Sequence, residues 1–303
     1  MSKKYKMKIS PGDRMFDLGN SILLILMMLI VAYPLYFIVI ASFSDPSAIT
    51  RGEVFLWPKS FSLEGYKKVF SYAEIWTGYR NTFIYTSVGS VLSVAITISC
   101  GFAFSRKNVP FRRLLITLFI IPMFFGGGLI PTFLVVQKLG LLNNPVLLVI
   151  LGCVSTYNIL IAKSFISSSI PEELYEAAHI DGCSDLRYLA TVIVPLSKAL
   201  IAVQFVFSIS AYWNSYFNAL VYITEAEYKP LSLVIRRILI DADWSMAESM
   251  DIGQIGSDAA RAQQMVLAVK YCVFIVSSLP LMLVYPFARK YFVKGVMIGS
   301  VKG

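Results

Sequence analysis

The sequence predicts an all-α polytopic membrane protein with six transmembrane helices, and three observations carry that reading. The chain of 303 residues is 57% hydrophobic and only 15% charged, with a mean hydropathy of +0.68, well above that of a water-soluble domain. Six long stretches contain no Asp, Glu, Lys or Arg: Leu18 to Ser44, Asn81 to Ser105, Leu114 to Gln137, Leu139 to Ala162, Ala199 to Thr224 and Tyr271 to Ala288. A hydrocarbon slab about 30 Å thick takes roughly 20 helical residues, because lipid tolerates no unpaired backbone groups. The excess of cations, 27 Lys plus Arg against 18 Asp plus Glu, gathers at the ends of these stretches. That placement makes the partner a lipid bilayer and not nucleic acid.

The elements follow in order. Lys3, Lys4, Lys6, Lys8 and Arg14 precede a first span expected over about 22–42 and interrupted by Pro34. The apolar run is too long for a signal-peptide core, so it reads as an uncleaved anchor. The positive-inside rule puts the N-terminus in the cytosol. An external stretch, Phe43 to Arg80, holds Trp57, Pro58 and Trp76, which suit a membrane interface.

The second span, about 82–104, and the third, about 114–136, are joined by a short cytosolic link crowded with Arg106, Lys107, Arg112 and Arg113. Within the third, Gly126-Gly-Gly128 lies between Pro122 and Pro131, a place for either a bend or close helix packing. The turn Gly140 to Pro145 leads into a fourth span over about 145–166, from whose cytosolic end Lys163 can snorkel. A fifth span covers about 199–223, and an external segment 224–266 follows. The sixth, about 271–288, contains Pro280 and Pro286 and ends in a basic tail with Arg289, Lys290, Lys294 and Lys302. Both termini are expected in the cytosol. The cysteines, Cys100, Cys153, Cys183 and Cys272, form no C-x-x-C pair, so neither a disulfide framework nor a metal site is indicated.

The link 169–195 is the most informative. Ser169-Ile-Pro-Glu172 has the form of a capping box, and Gly182 supplies a stop, so a helix is expected over Ile170 to Ile180. A second helical pattern runs from near Ser184 to Pro195. Glu172, Glu173 and Glu176 are left available to basic groups. The result is two short helices hinged at a glycine.

Glu176-Ala177-Ala178, three residues, Gly182, nine residues, then Val192-Ile193-Val194-Pro195 resembles the EAA signature of binding-protein-dependent ABC importer permeases. The family usually has Ile and Leu where this chain has Val192 and Val194. The resemblance spans nearly the whole chain as a single transmembrane domain, 1–303. It is strongest to sugar-importer permeases related to the second membrane subunit of the maltose system. The stretch Phe125 to Pro131 and the tail Lys294 to Gly303 look like the subgroup that takes oligosaccharides, including polysaccharide fragments.

The resemblance implies a multi-pass bacterial cell-membrane protein that works by alternating access. Its implied partners are a second homologous permease, two ATPase subunits and an extracellular or periplasmic solute-binding protein, with a sugar as substrate. It implies that Glu172, Glu173, Glu176, Ala177, Ala178, Asp181, Gly182 and Pro195 couple to the ATPase, and that the tail at Lys302 and Gly303 reaches it. No cofactor belongs to this chain: ATP and Mg are bound by the partner, and the sequence has no G-x-x-x-x-G-K-[ST] phosphate loop. No catalytic residue is assigned either, because the spans lack converging ionisable groups.

Span five carries Tyr212, Trp213, Asn214, Tyr216 and Asn218, about 20 Å along the helix from Ala199. Aromatic faces and uncharged amides suit a sugar, and Tyr157 with Asn158 in span four form a second such pair. Equally, polar groups there can hold helices together. The resemblance implies that the external segment Thr224 to Gln264 corresponds by position to a loop which, in the maltose-type subunit, reaches into the binding protein, with Asp241 to Trp244 and Ala259 to Met265 as the expected contacts. The rival reading, a self-contained secondary transporter or channel, requires an intramembrane ionisable relay or inverted repeat, and neither is visible.

Overall fold

A computed structural model describes residues 11–240 and 257–299, the side chains of 257–263, 285 and 287–299 excepted. In chain order the helices are α1 (Pro11–Ser42), α2 (Pro46–Thr50), α3 (Glu64–Ser71), α4 (Ala73–Ser105), α5 (Arg112–Phe124), α6 (Leu129–Lys138), α7 (Pro145–Gly152), α8 (Thr156–Ser169), α9 (Glu172–Ile180), α10 (Asp185–Tyr188), α11 (Val194–Leu196), α12 (Lys198–Trp213), α13 (Phe217–Tyr222), α14 (231–240) and α15 (Ser257–Gly299). No strand occurs among the described residues, so the all-α prediction holds. The tail residues Lys302 and Gly303, and Asp241 to Trp244, lie outside them.

Three stretches are long and apolar enough to cross a membrane unbroken: α1, α4 and Gln264–Val284 of α15. Three further candidates are bent pairs, α5 with α6 by 114°, α7 with α8 by 44°, and Asp185–Leu196 with α12 by 85°. The third expected span, 114–136, therefore does not run straight. Gly126-Gly-Gly128 breaks it, Gly128 taking a φ of +84° that a side chain would resist. The fourth, 145–166, is interrupted after Gly152, where Ser155 turns extended and caps α8. The fifth, 199–223, is interrupted at Asn214, whose amide donates back to the Ser210 carbonyl at 2.8 Å.

The chain divides into two units, 1–71 with 242–275 and 72–241 with 276–303. In the first, the end of α1 packs with α2 and α15 through Ile40, Ala41, Ala48, Ile49, Val54 and Ala268. Asp45 caps α2 by accepting from the Ser47 amide at 2.9 Å, and the Ser47 hydroxyl bond holds its carboxyl below the usual range. Along α1 the side chains from Ile22 to Val31 are more than half exposed, as befits a helix solvated by lipid or by another subunit.

In the second unit α4 is the spine, and its buried face mixes small polar residues with apolar ones. Thr82, Thr86, Ser90, Ser93 and Thr97 are buried, while Phe83, Ile84, Val88 and Val91 point outward. In lipid an outward apolar face costs nothing, and small inward residues let helices approach closely. Ser208 of α12 meets Ser93 at 3.4 Å. Gly101 meets α8 so closely that a Cβ there would lie 2.6 Å from that of Ala162.

Candidate functional site

The site is built where α4 ends. Arg106 caps that end and lays its guanidinium over two rings, Phe102 of α4 at 5.3 Å and Tyr175 of α9 at 4.9 Å. Beside it Lys107 donates to the Glu172 carboxylate at 2.6 Å. That bond holds Glu172 below the usual carboxylate range, with further help from the nearby Arg106 charge. The basic link after α4, expected only to orient the chain, thus grips the acidic helix directly.

The expected capping box is absent. Ser169 is the last residue of α8, Pro171 is the extended residue before α9 and bonds through no side chain, and Glu172 turns to Lys107 instead. The stop is as expected: Gly182 has a φ of +74°, and the Gly182 and Cys183 amides donate to the His179 and Ala178 carbonyls at 3.0 and 2.9 Å.

Tyr175 ties the two helices together. Its hydroxyl donates to Asp185 at 2.9 Å, and its ring stands edge-on to Tyr188 at 5.3 Å and tilted to His179 at 4.9 Å. Burial, and then the bond to Asp185, push its phenol above the ordinary value, so it remains a donor at neutral pH. Tyr188 is 1% exposed and packs on Phe102. The Val194 amide donates to the Leu189 carbonyl five residues back, a widened turn that fits the missing N–H of Pro195. Ser197, fully buried, marks the 85° corner into α12.

The chain therefore splits the alanine pair. Ala178 packs on the cluster of Ile166, Ile170 and Ile193, whereas Ala177 is exposed. With it, Glu173, Glu176 and Asp181 face outward and form no ion pair among the described residues, and Leu174, Ile180 and Leu186 are exposed at 44, 86 and 80%. Sequence reasoning missed Tyr175, Arg106 and Lys107 as parts of the site. The available signal was that Tyr175 lies one turn before both Ala178 and His179.

The residues expected to meet substrate are divided as well. Tyr212 is 8% exposed, its hydroxyl donates to the Val149 carbonyl at 2.7 Å, and its ring fills a notch where a Cβ on Gly89 or Gly152 would come within 2.8 Å. Trp213 is buried and donates to the Ser277 carbonyl at 3.0 Å. Tyr157, Asn214 and Tyr216 are exposed, Asn158 and Asn218 half-buried. Tyr212 and Trp213 thus spend their polar hydrogens within the bundle. Tyr212→Phe leaves the Val149 carbonyl unpaired and should cost about 1 kcal/mol, read as a lower melting temperature of the purified protein.

A helical domain with apolar spans that presents a two-helix elbow at the end of its spine has the form of a membrane transport subunit. The chain belongs to the family of binding-protein-dependent transport system inner membrane components, which matches residues 86–298. Protein LplC of Bacillus subtilis (strain 168) is 34% identical over 303 residues, covering all of both chains. The polygalacturonan/rhamnogalacturonan transport system permease protein YtcP of the same organism is 33% identical, with 96% of this chain and 99% of that one covered. A chain in the crystal structure of a bacterial ABC transporter involved in the import of the acidic polysaccharide alginate superposes with a TM-score of 0.83 at 30% identity, covering 93% of this chain and 98% of that one. The resemblance read from the EAA signature is borne out: this is a permease subunit of a bacterial ABC importer, set in the inner membrane and not itself catalytic.

Proposed function

We propose that the protein is the sugar-conducting permease of an importer for oligosaccharides, including fragments of polysaccharides, and that α9 with α10 is its coupling elbow. The carrying observation is the outward face of α9. Glu173, Glu176 and Asp181 surround Ala177 and three exposed apolar side chains, a surface that is uncovered among the described residues. Small and apolar residues permit close approach, while the acids match a basic cleft on one of the two ATPase subunits that hold ATP and Mg. Nucleotide-driven closure of those subunits moves the elbow, and the corner at Ser197 passes the motion to α12, switching a path shared with a second homologous permease between its two openings.

In this reading both termini are cytosolic and a solute-binding protein delivers sugar from outside. Tyr157, Asn158, Asn214 and Asn218 offer amides and a phenol to the passage. The oligosaccharide assignment is supported by the transport activities in the relatives' names. Purification of the chain with its ATPase, and loss of that association on Glu176→Lys or Gly182→Ala, are expected. Gly182→Ala forces a side chain into positive φ at about 1–2 kcal/mol. Transport by the lone chain in vesicles would refute the proposal and favour the channel reading. Which glycan raises the melting temperature of the cognate binding protein identifies the cargo.

A further inference from the structure

At the end of α4 away from the elbow, a cavity of about 340 Å³ opens between α13 and α14. Ile223, Leu233 and Val234, at 3, 8 and 4% exposure, form its walls together with the more open Leu220 and Ile240. Three cations complete the lining. Arg237 is neutralised by Glu74 at the start of α4, whereas Lys229 and Arg236 are half-buried and form no ion pair among the described residues. Arg236 lies over the Tyr216 ring at 4.9 Å. Glu225 and Glu227, which precede Lys229 in the chain, are exposed and form no ion pair with either cation.

The volume suits a small-molecule site, and its chemistry narrows the occupant. Among the described residues the lining holds no aromatic ring, so a sugar finds no stacking face there. The aliphatic walls suit an alkyl chain. Two half-buried cations that form no ion pair among the described residues, beside a tyrosine of the kind that marks a headgroup layer, suit a phosphate. α4 has 33 residues, so its ends lie about 50 Å apart, and the cavity and the elbow occupy opposite membrane faces. We propose that this cavity binds an anionic phospholipid, its phosphate between Lys229 and Arg236 and one chain along Leu220, Leu233 and Ile240. Only the name of the leaflet, the outer one, rests on the proposed orientation.

The test uses the assembled importer in nanodiscs of phosphatidylcholine with or without phosphatidylglycerol, with bound lipid counted by mass spectrometry after detergent washing. Wild type should retain phosphatidylglycerol, and Lys229→Gln with Arg236→Gln should lower that retention roughly tenfold or more. Leu220→Trp, which keeps the charges and fills the cavity, should lower it likewise, with phosphatidylcholine retention unmoved in both. Equal phosphatidylglycerol retention in all three proteins would overturn the proposal. So would displacement by free glycerol phosphate alone, or unchanged retention with lost uptake of a carboxylated oligosaccharide, which would make the cavity a sugar subsite. The retention arms are measured without transport, so a failure of the importer reading would disturb only the uptake arm.

Discussion

Replacing Gly101 by leucine should leave almost no folded protein. α4 and α8 approach so closely here that a Cβ would stand 2.6 Å from the Ala162 Cβ and 3.1 Å from both the Ala162 carbonyl carbon and the Lys163 amide nitrogen. Backbone cannot rotate aside as a side chain can, so the helices must separate along a contact that also seats Phe102, Ile166 and Tyr188. Even Gly101→Ala should cost about 1–3 kcal/mol. A paired change identifies the cause: Gly101→Ala with Ala162→Gly removes the nearest obstacle and should recover most of the loss, leaving the tight backbone contact. The measurements are the monodisperse yield in detergent and the melting temperature of each variant. A stable Gly101→Leu protein with an unchanged melting temperature would show that the two helices are not in this contact.

Much of this architecture was legible in the residues because the lipid constraint is written in one-dimensional form. A long apolar stretch without charges is mostly helical and crosses or lies within the bilayer, and the spacing of acid, small pair, glycine and proline marks the elbow. What escaped was where those stretches bend. Ser155 and Asn214 each satisfy backbone groups locally, at Asn158 and Ser210, and a hydrophobicity count does not register a break that its own side chains repair. The direction in which each polar side chain points also escaped. Tyr212 and Tyr216 are one turn apart on one helical register, yet the chain breaks between them, so one fills a notch in the bundle and the other stands open beside Arg236. The capping box failed because it competed with a stronger bond, the Glu172 carboxylate preferring an ammonium from a link 65 residues away to its own backbone.

The division of α9 into two faces yields the second large expectation, because it separates docking from transmission. Ala177→Arg places a long cation among Glu173, Glu176 and Asp181 on the exposed face, away from the side on which Ala178 packs. The permease should keep its melting temperature while ATPase co-purification falls more than about tenfold, since a close-packed contact is blocked. Tyr175→Ala acts from the other side. It removes the Arg106 cation over the ring, the bond to Asp185 and the edge contact with Tyr188, together about 3 kcal/mol. The outward face remains, so the ATPase should still bind and hydrolyse ATP, while sugar uptake falls roughly tenfold or more as the elbow no longer carries the stroke into α4 and α12. Tyr175→Phe keeps the ring and loses only the Asp185 bond, so its uptake should lie between wild type and Tyr175→Ala. If Tyr175→Ala instead lost the ATPase and kept its uptake per bound complex, the ring would belong to the docking surface, and the two-faced elbow would have to be abandoned.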